Sequence, residues 1–375
     1  MTMRVRTGAG QSRRRFLFGA SLAVLSTTPI GAALTASIPP AAARQRGSAR
    51  AAVRDFGARG DGVHDDTKAF QAAIDSLSAD GGTVHVPAGT YSLDPVRRVR
   101  LRDRVHLEMA TDARLVARPN ALERAYVLSV EQVDDVEISG GRIVGDRDTH
   151  LGTTGEWGHG VTIRGASRIT VRNLHVSKCW GDGISIGGAK AAGGQVVPSI
   201  DVVVADVVCD GNRRQGLTIG RSRQVRVRDS TFANTGGTLP GCGIDVEPDA
   251  GDIARDVRIE DCLVRGNQGA GIQLYHRAGD VTIRGCTIEG NRGDGVLLVG
   301  AGDCVISGNL IRYNDLAGVR LGRGSRNILV DDNHFGDNRR QARRTGAVSA
   351  KARLKHVTLA TGTEAIRVTG NQFDD

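Results

Sequence analysis

The sequence has few of the residues on which metal-bound or nucleic-acid-binding domains depend. Aromatic residues make up only 3% of the 375 residues, and there are 9 prolines and 6 cysteines. The cysteines form no Cys-x-x-Cys pair and no Cys/His cluster with zinc spacing. Almost no aromatics lie between the basic residues, which argues against a nucleic acid partner. The 51 glycines follow no three-residue period, so collagen is excluded and many tight turns are expected.

The first 43 residues have the features of an export signal. Arginines precede a stretch without charge at residues 16–36, and Ala41-Ala-Ala43 offers a small-residue cleavage site. The segment Ser12-Arg-Arg-Arg-Phe-Leu17 resembles the twin-arginine signal. We therefore expect a cleaved signal over residues 1–43 and a secreted or periplasmic protein without membrane contact. The alternative is that the segment remains as a membrane anchor.

The formal net charge is only mildly basic once this segment is removed. Cleavage after residue 43 takes away five arginines and no acidic residue, which lowers the net charge from +9 to +4. A mild positive charge is compatible with an acidic polymer as substrate.

Two short sequence motifs, here called the first and second phrase, alternate along the chain from about residue 133. The second phrase often ends in Gly-Asn, as at Asn212, Asn267 and Asn291. Strands of about five residues can bury an apolar face only against neighbouring coils, about 4.8 Å away, so the repeat predicts a solenoid. The first phrase is Gly-apolar-x-apolar, and its glycines lie 23 to 33 residues apart, at Gly160, Gly183, Gly216, Gly243, Gly271, Gly295 and Gly318.

Alternation within each strand predicts which side chains enter the core. Ile184 and Ile186 are expected inside and Ser185 outside. One internal position at a turn is expected to form a polar ladder, which contains Asn173, Ser230, Cys262, Cys286, Asn309 and Asn333. Cys262 and Cys286 are therefore predicted to be stacked, buried thiols rather than a disulfide.

Residues 53–91 are predicted to close the open N-terminal end of the solenoid. Asp65-Asp-Thr67 supplies candidates for a helix N-cap. Gly81-Gly82 is expected to end the helix, and Thr83–Val86 to begin the first strand. The apolar residues that follow the cap have helical spacing, at Phe70, Ala73, Ile74 and Leu77.

The same region resembles the opening of the pectate-lyase-like superfamily, which includes rhamnogalacturonase-type, polygalacturonase-like and epimerase-like β-helices. The resemblance is carried by Val53-Arg-Asp-Phe-Gly-Ala-Arg-Gly-Asp-Gly-Val-His-Asp-Asp-Thr-Lys-Ala-Phe-Gln-Ala-Ala-Ile-Asp75 and Gly81-Gly-Thr-Val-His-Val-Pro-Ala-Gly-Thr-Tyr91. It implies an all-β fold: a single-stranded right-handed parallel β-helix over residues 44–375 with an N-terminal capping α-helix. It implies a polysaccharide partner but no particular reaction, since members hydrolyse, eliminate, epimerise or only bind.

The strongest candidate for chemistry is Gly243-Ile-Asp-Val-Glu-Pro248. Asp245 and Glu247 are two residues apart on one strand, so both are predicted to face outward with carboxylates about 6 to 7 Å apart. A glycosidase needs one protonated and one ionised carboxyl group, and a spacing of about 6.5 Å or more favours inversion. The alternative is two solvated acids on a strand face.

A third carboxylate, Asp182, precedes the glycine of an earlier coil, and His159, a candidate substrate contact, has the same position one coil before it. Asp182 is a candidate catalytic acid, a candidate hydrogen-bond partner of the substrate, or a turn residue.

Other residues near these coils are candidate substrate contacts. Arg213 and Arg214 could hold a sugar acid, or form ion pairs with Asp245 or Glu247. Tyr275 and His276 follow on the next coil and could stack on a sugar or transfer a proton. Trp157 ends the irregular insert 146–156, where it could line a cleft or serve packing alone.

The preferred hypothesis is a glycoside hydrolase that acts on an acidic or partly acidic polysaccharide. The Asn-Thr-Asp and Asp-Asp pattern of polygalacturonases is not matched, and Cys242-Gly-Ile-Asp-Val-Glu247 keeps only Asp245 of the epimerase pattern Tyr-Gly-Phe-Asp-Pro-His. The alternatives are a uronate lyase or C5-epimerase, and a non-catalytic glycan-binding β-helix. No metal site and no cofactor are predicted, except that a lyase could use calcium.

Overall fold

The computed structural model describes residues 44–340 and 356–374, and the predicted export signal at residues 1–43 lies outside them. The described chain winds around one apolar core as a stack of coils, and each coil adds strands to three long sheets in which all neighbouring strands are parallel. This confirms the predicted solenoid.

The strands are as follows. The first sheet has twelve strands: Ala49–Ala52, Gly82–Val86, Val105–Met109, Glu137–Ser139, Ser167–Arg172, Ser199–Ala205, Ser222–Arg228, Ala254–Glu260, Ala278–Arg284, Gly302–Ser307, Arg326–Asp331 and Glu364–Thr369. The second sheet also has twelve: Asp61–Asp65, Gly89–Leu93, Ala113–Ala117, Arg142–Val144, His175–Ser177, Val208–Asp210, Thr231–Ala233, Leu263–Arg265, Thr287–Glu289, Leu310–Arg312, His334–Gly336 and Gln372–Asp374. The third sheet has ten: Val99–Leu101, Arg124–Glu131, Trp157–Arg164, Ile184–Gly187, Leu217–Ile219, Ile244–Val246, Ile272–Tyr275, Val296–Val299, Val319–Leu321 and Val357–Leu359. A separate antiparallel hairpin pairs Ala189–Lys190 with Val196–Val197.

The Gly-apolar-x-apolar phrase forms the third sheet, whereas the second phrase forms two strands instead of one. The break lies at residues such as Asp206, Asp229 and Asp261, whose φ angles are 54°, 51° and 52°. A left-handed residue cannot continue a strand, so the chain turns there and the next residues join the second sheet. Each repeat therefore has three strands.

The interior is apolar, as the alternation predicts. Ile184 and Ile186 are buried, and so are Cys262 and Cys286. All six cysteines of the chain are free thiols. The prediction that Cys262 and Cys286 are stacked thiols is therefore confirmed.

The predicted internal polar ladder exists, but the prediction is wrong for one residue, Asn173. Asn309 donates from its backbone N and from Nδ2 to Oδ1 of Asn333, at 3.1 and 2.9 Å, and Asn333 continues to Asn371. Asn173 is exposed with a φ of 53°, and Leu174 occupies the internal position instead. The ladder therefore lies one residue after the left-handed turn.

A second ladder of buried asparagines follows the second sheet. Asn267 donates to Oδ1 of Asn291, Asn291 to Asn314, and Asn314 to Asn338, with Nδ2 to Oδ1 distances of 2.8 to 2.9 Å. These side chains satisfy turn backbone that would otherwise be buried without hydrogen bonds.

The N-terminal cap contains the 3₁₀ helix Val53–Phe56 and the α-helix Thr67–Asp75, whose buried face includes Phe70 and Ile74. Asp66 precedes the helix, but its carboxylate accepts from the backbone N–H groups of Arg59 and Gly60 rather than capping the helix. The helix ends at Asp75, well before the predicted Gly81-Gly82 stop. No helix within the described residues has the length and apolarity needed to cross a membrane.

Candidate active site

A groove of about 520 Å³ lies on the outer face of the third sheet and contains most of the predicted site. We call it the central groove. Its floor is made of Trp157–Arg164, Ile184–Gly187 and the two strands that follow them. The insert 146–156 contributes Glu156, and the hairpin at Ala189–Lys190 and Val196–Val197 contributes Lys190 and Val196. The groove is lined by the polar side chains of Glu156, His159, Arg164, Asp182, Arg214 and Glu247.

The groove is deep because two coils have no side chain at its floor. Four successive coils have Arg164, Gly187, Gly220 and Glu247 at the same position, and Arg164 pairs in register with Gly187. With coils about 4.8 Å apart, the two glycines leave a hollow roughly 10 Å long. Arg164 lies across one end, where its Nη1 and Nη2 donate to the backbone oxygen and Oγ of Ser185, at 2.7 and 2.9 Å.

One guanidinium joins three carboxylates in this groove. Arg214 lies 2.5 Å from Glu247, 3.4 Å from Asp182 and 3.3 Å from Glu156. The exposed side-chain fraction is 1% for Asp182, 12% for Arg214 and 22% for Glu247. The structure therefore contains the ion pair that the sequence left open as an alternative to substrate binding by Arg214.

Asp245 lies beneath this cluster rather than in the groove. The expectation that it is exposed beside Glu247 is wrong, because it is fully buried. Its carboxylate accepts from Nε2 of Gln215 at 2.8 Å and from Nε2 of Gln273 at 3.1 Å. These two side chains come from the preceding and following coils and cover it.

Burial governs the protonation of these acids. It raises the pKa of Asp182 and of Glu247, although Arg214 opposes the rise in both. It also raises the pKa of Asp245 well above its usual range, and the nearby Glu247 adds to this. Burial lowers the pKa of the Arg214 guanidinium, but the charges of Asp182 and Glu247 raise it by more, so the pKa is raised overall. Arg214 therefore stays protonated and faces several carboxyl groups whose neutral forms burial favours.

His159 is neutral and has a free hydrogen-bond donor. Burial first, and then the charges of Arg164 and Arg214, hold its pKa well below the usual value. The backbone N–H of Asp182 donates to Nδ1 at 3.0 Å, so the ring proton resides on Nε2. Nε2 is buried and has no partner. The ring stacks on Tyr126, with 5.4 Å between centroids.

Trp157 lines the groove at the end of the insert 146–156, as predicted for a cleft wall. The guanidinium of Arg124 lies 4.6 Å from its ring centroid. This contact holds the indole at the rim of the groove.

Arg213 does not belong to the residues that line the central groove. Its guanidinium lies 3.7 Å from the ring centroid of Trp180 and donates to the backbone oxygens of Gly155 and Trp180, at 2.9 and 3.2 Å. These contacts fix the insert, so the structure assigns Arg213 a supporting place rather than a substrate contact.

Tyr275 and His276 are also separated from the central groove. Their rings meet edge to face, with 4.4 Å between centroids, and His276 lines another pocket. The predicted single outward patch of Arg213, Arg214, Asp245, Glu247, Tyr275 and His276 is therefore wrong. Of these six, Arg214 and Glu247 line the groove.

Residues 123–282 and 240–374 match the family model for the right handed beta helix region, and residues 51–107 match that for rhamnogalacturonase A/epimerase, pectate lyase-like. The chain belongs to the right-handed β-helix family. This confirms the fold and the superfamily that the cap region resembles.

Several known proteins resemble this β-helix protein. Mannuronan C5-epimerase AlgE2 of Azotobacter vinelandii is 30% identical over 59% of this chain and 25% of its own length. The solved A-module of AlgE6 from the same organism has a TM-score of 0.70 at 21% identity over 86% of both chains. An exopolygalacturonase of Thermotoga maritima has a TM-score of 0.56 at 12% identity over 89% of this chain and 94% of its own. The chain spans between a quarter and two fifths of the first curated relatives it matches.

The β-helix groove also contains residues that sequence reasoning missed. Arg164 and its glycine column were visible in the repeat, since Gly187 and Gly220 follow it at the same position. Lys190 belongs to the hairpin inserted where the spacing from Gly183 to Gly216 lengthens to 33 residues, and that spacing was the available signal. The sequence gives no comparable signal for three other residues that line the groove, Arg221, Asp249 and Asp252.

No group of three or more His, Cys, Asp or Glu side chains suited to a metal ion occurs within residues 44–340 and 356–374. The groove acids Asp182 and Glu247 are instead bound by Arg214, and the buried Asp245 by amide groups.

Proposed function

We propose that this protein hydrolyses glycosidic bonds of a polysaccharide bound in the central groove, with Asp182 as general acid and Glu247 as general base. The observation that carries the proposal is that both carboxyl groups have raised pKa values and contact the two terminal nitrogens of the Arg214 guanidinium, with Glu247 the closer, at 2.5 Å against 3.4 Å. Asp245 is assigned a positioning role, because its carboxylate is covered by Gln215 and Gln273 and does not line the groove.

The charge balance favours one protonated and one ionised carboxyl group. A guanidinium carries one positive charge and can neutralise only one of its two buried partners. The second partner is more stable when it is protonated. Two carboxyl groups in different protonation states are what acid and base catalysis of glycoside hydrolysis requires.

The separation of the two groups is compatible with inversion. Since one planar guanidinium contacts both, their nearest oxygens lie roughly 8 Å apart or less. Inverting enzymes need about 6.5 to 9.5 Å, which leaves room for water, whereas retaining enzymes have about 5 to 5.5 Å. In the proposed reaction Asp182 donates its proton to the leaving oxygen, while Glu247 accepts a proton from the water that attacks the anomeric carbon.

The remaining groove residues are proposed to select an acidic or partly acidic polysaccharide. Arg214 and Arg221 are bound by groove carboxylates, but Arg164 donates to Ser185 instead, and Lys190 also lines the groove, so these two cations suit uronate carboxylates. Trp157 supplies an apolar ring at the rim. Export through the predicted signal would bring the protein to such polymers.

The test uses the mature protein and a panel of acidic and neutral polysaccharides. Reducing ends without unsaturated product indicate hydrolysis. Glu247→Gln and Asp182→Asn should each lower turnover by at least about 100-fold while each variant remains folded at the assay temperature. The control is Glu289→Gln, which removes a carboxylate paired with Arg312 on the second sheet and should retain full turnover. Near wild-type rates for Glu247→Gln and Asp182→Asn contradict the proposal.

A second candidate is C5-epimerisation or elimination on a uronate. Arg164 and Lys190 favour it, because this chemistry needs a positive group to neutralise the C6 carboxylate. Likeness to mannuronan C5-epimerases adds support. Under this alternative Arg164→Gln is more damaging than Asp182→Asn, and product is unsaturated or inverted at C5. Calcium remains a prediction for elimination alone.

The third candidate is a non-catalytic glycan-binding protein. It predicts that affinity for the polymer persists in Glu247→Gln and Asp182→Asn, with no turnover by the wild-type protein on any member of the panel.

A further inference from the structure

A second pocket, of about 310 Å³, lies at the corner where the third sheet turns into the first. We call it the corner pocket. It adjoins the central groove through Arg277, whose guanidinium donates to the backbone oxygens of Pro248 and Asp249, at 2.9 and 3.2 Å. Asp249 lines the central groove. The corner pocket is lined by Arg255, His276, Arg277, Gly279, Gly302 and Arg326.

Glycines create the space in this pocket. Arg255, Gly279, Gly302 and Arg326 are neighbours in register on four consecutive strands of the first sheet. A Cβ atom on Gly279 would meet only the backbone oxygen of Gly302, at 3.6 Å. Two arginines are thus separated by two coils without side chains; the Arg326 side chain lies over Gly302, and the space at Gly279 is open.

The corner pocket has three arginines and a single acidic residue, so its positive charge is only partly neutralised. Its one acidic group, Asp303, already accepts from Nδ2 of Asn327 at 2.7 Å. Within residues 44–340 and 356–374, the guanidinium groups of Arg255 and Arg326 form no hydrogen bond or ion pair. This differs from the central groove, where Arg214 is surrounded by carboxylates.

An aromatic surface lies beside the pocket. Tyr275 is 41% exposed and its ring packs edge to face on His276, which lines the pocket. An exposed ring next to unpaired guanidinium groups suits a sugar that carries a negative group, since the ring covers the apolar face of the sugar and the arginines bind its oxyanion.

We propose that the corner pocket binds a compact oxyanion carried by a sugar, either the carboxylate of a uronate or a sulfate ester. It would hold an acidic glycan at a point separate from Asp182 and Glu247. The proposal rests on the proposed function only for the glycan nature of the ligand, and the charge and shape of the pocket stand apart from it.

The test measures binding by calorimetry in the Glu247→Gln background, so that no turnover occurs. The probes are tetrasaccharides of galacturonate, of sulfated galactose and of neutral galactose. The double variant Arg255→Gln/Arg326→Gln should lose at least about 10-fold in affinity for an acidic probe, with unchanged affinity for the neutral one. The acidic probe that shows the loss identifies carboxylate or sulfate as the ligand.

Two further variants make the result specific. Arg223→Gln removes an exposed arginine that precedes Arg255 by one coil in the same column, outside the pocket, and should change affinity by less than about 2-fold. Gly279→Leu should fill the pocket and reduce acidic binding as strongly as the double variant, because its strand backbone accepts a side chain. Unchanged acidic binding in the double variant overturns the proposal, and so does an equal loss in Arg223→Gln. If wild-type protein hydrolyses nothing, the proposed function fails, while these binding results still decide the corner pocket.

Discussion

The guanidinium of Arg214 lies 2.5 Å from the carboxylate of Glu247, which belongs to the following coil. The same guanidinium also contacts Asp182 on the preceding coil, so three successive coils are joined by one largely buried cation. This relationship governs both the stability and the chemistry of the central groove.

Removal of Arg214 should therefore be costly in a pH-dependent way. Arg214→Gln leaves Asp182 and Glu247 without their cation, and breaking a buried pair costs about 3–5 kcal/mol. The loss should be largest at alkaline pH and smaller at acid pH, where both carboxyl groups are protonated. Melting temperatures across pH measure it. Arg50→Gln is the control, since its pair with Glu108 is exposed and is worth under about 1 kcal/mol. A loss that does not change with pH would contradict this account.

Asp245→Asn should increase stability at higher pH. The pKa of Asp245 is raised in the folded state, so its contribution to stability is complete below the unfolded-state pKa of about 3.9 and is lost as pH rises through the folded-state value. An asparagine has no such loss. The melting temperature of the variant should equal that of the wild type at low pH and exceed it increasingly as pH rises. Glu108→Gln, on the exposed pair with Arg50, should show no such trend, and a constant difference for Asp245→Asn would refute the prediction.

Arg213→Ala should loosen the insert 146–156 without changing the carboxyl groups. The variant loses the contact with Trp180 and two hydrogen bonds to backbone oxygens, which together contribute about 1–3 kcal/mol. Limited proteolysis within the insert should accelerate, and KM for polymer should rise more than kcat falls. Arg265→Ala, on the second sheet, should leave both unchanged. A fall in kcat alone would place Arg213 closer to the chemistry than its contacts indicate.

Asn291→Ala should destabilise the chain by about 1–3 kcal/mol, because Asn267 then loses the acceptor of its buried backbone and side-chain N–H groups. Chemical denaturation measures the change. Gln195→Ala removes an exposed amide side chain and should cost under about 0.5 kcal/mol. Equal costs for the two variants would show that the ladder is not a stabilising network.

The solenoid could be predicted because its signal is local. The Gly-apolar-x-apolar phrase, with its alternation of inward and outward side chains, recurs in every coil, so Ile184 and Ile244 could be placed inside from the sequence alone. Burial of Asp245 could not be predicted in this way, since it depends on how Gln215 and Gln273 of neighbouring coils fold over it. Strand alternation gives the direction of a side chain but not what covers it.

The separation of Tyr275 and His276 from the groove has a similar cause. The strand Ile272–Tyr275 ends there, and Arg277 has a φ of 64°, so the chain turns the corner toward the first sheet. The repeat predicts which coil a residue belongs to. It does not predict on which side of a corner the residue lies, because that depends on the exact place of the left-handed turn.

The second asparagine ladder, from Asn267 to Asn338, aligns its side-chain amide dipoles along the axis of the β-helix. Every side-chain amide from Asn267 to Asn338 donates to the following coil, and Asn338 lies 3.2 Å from Nδ1 of His356. The amide dipoles therefore add head to tail along the axis, as peptide dipoles do in an α-helix. A coil grafted from another protein would fit this axis in one orientation only, and it would need its own amide at the ladder position to keep the array continuous.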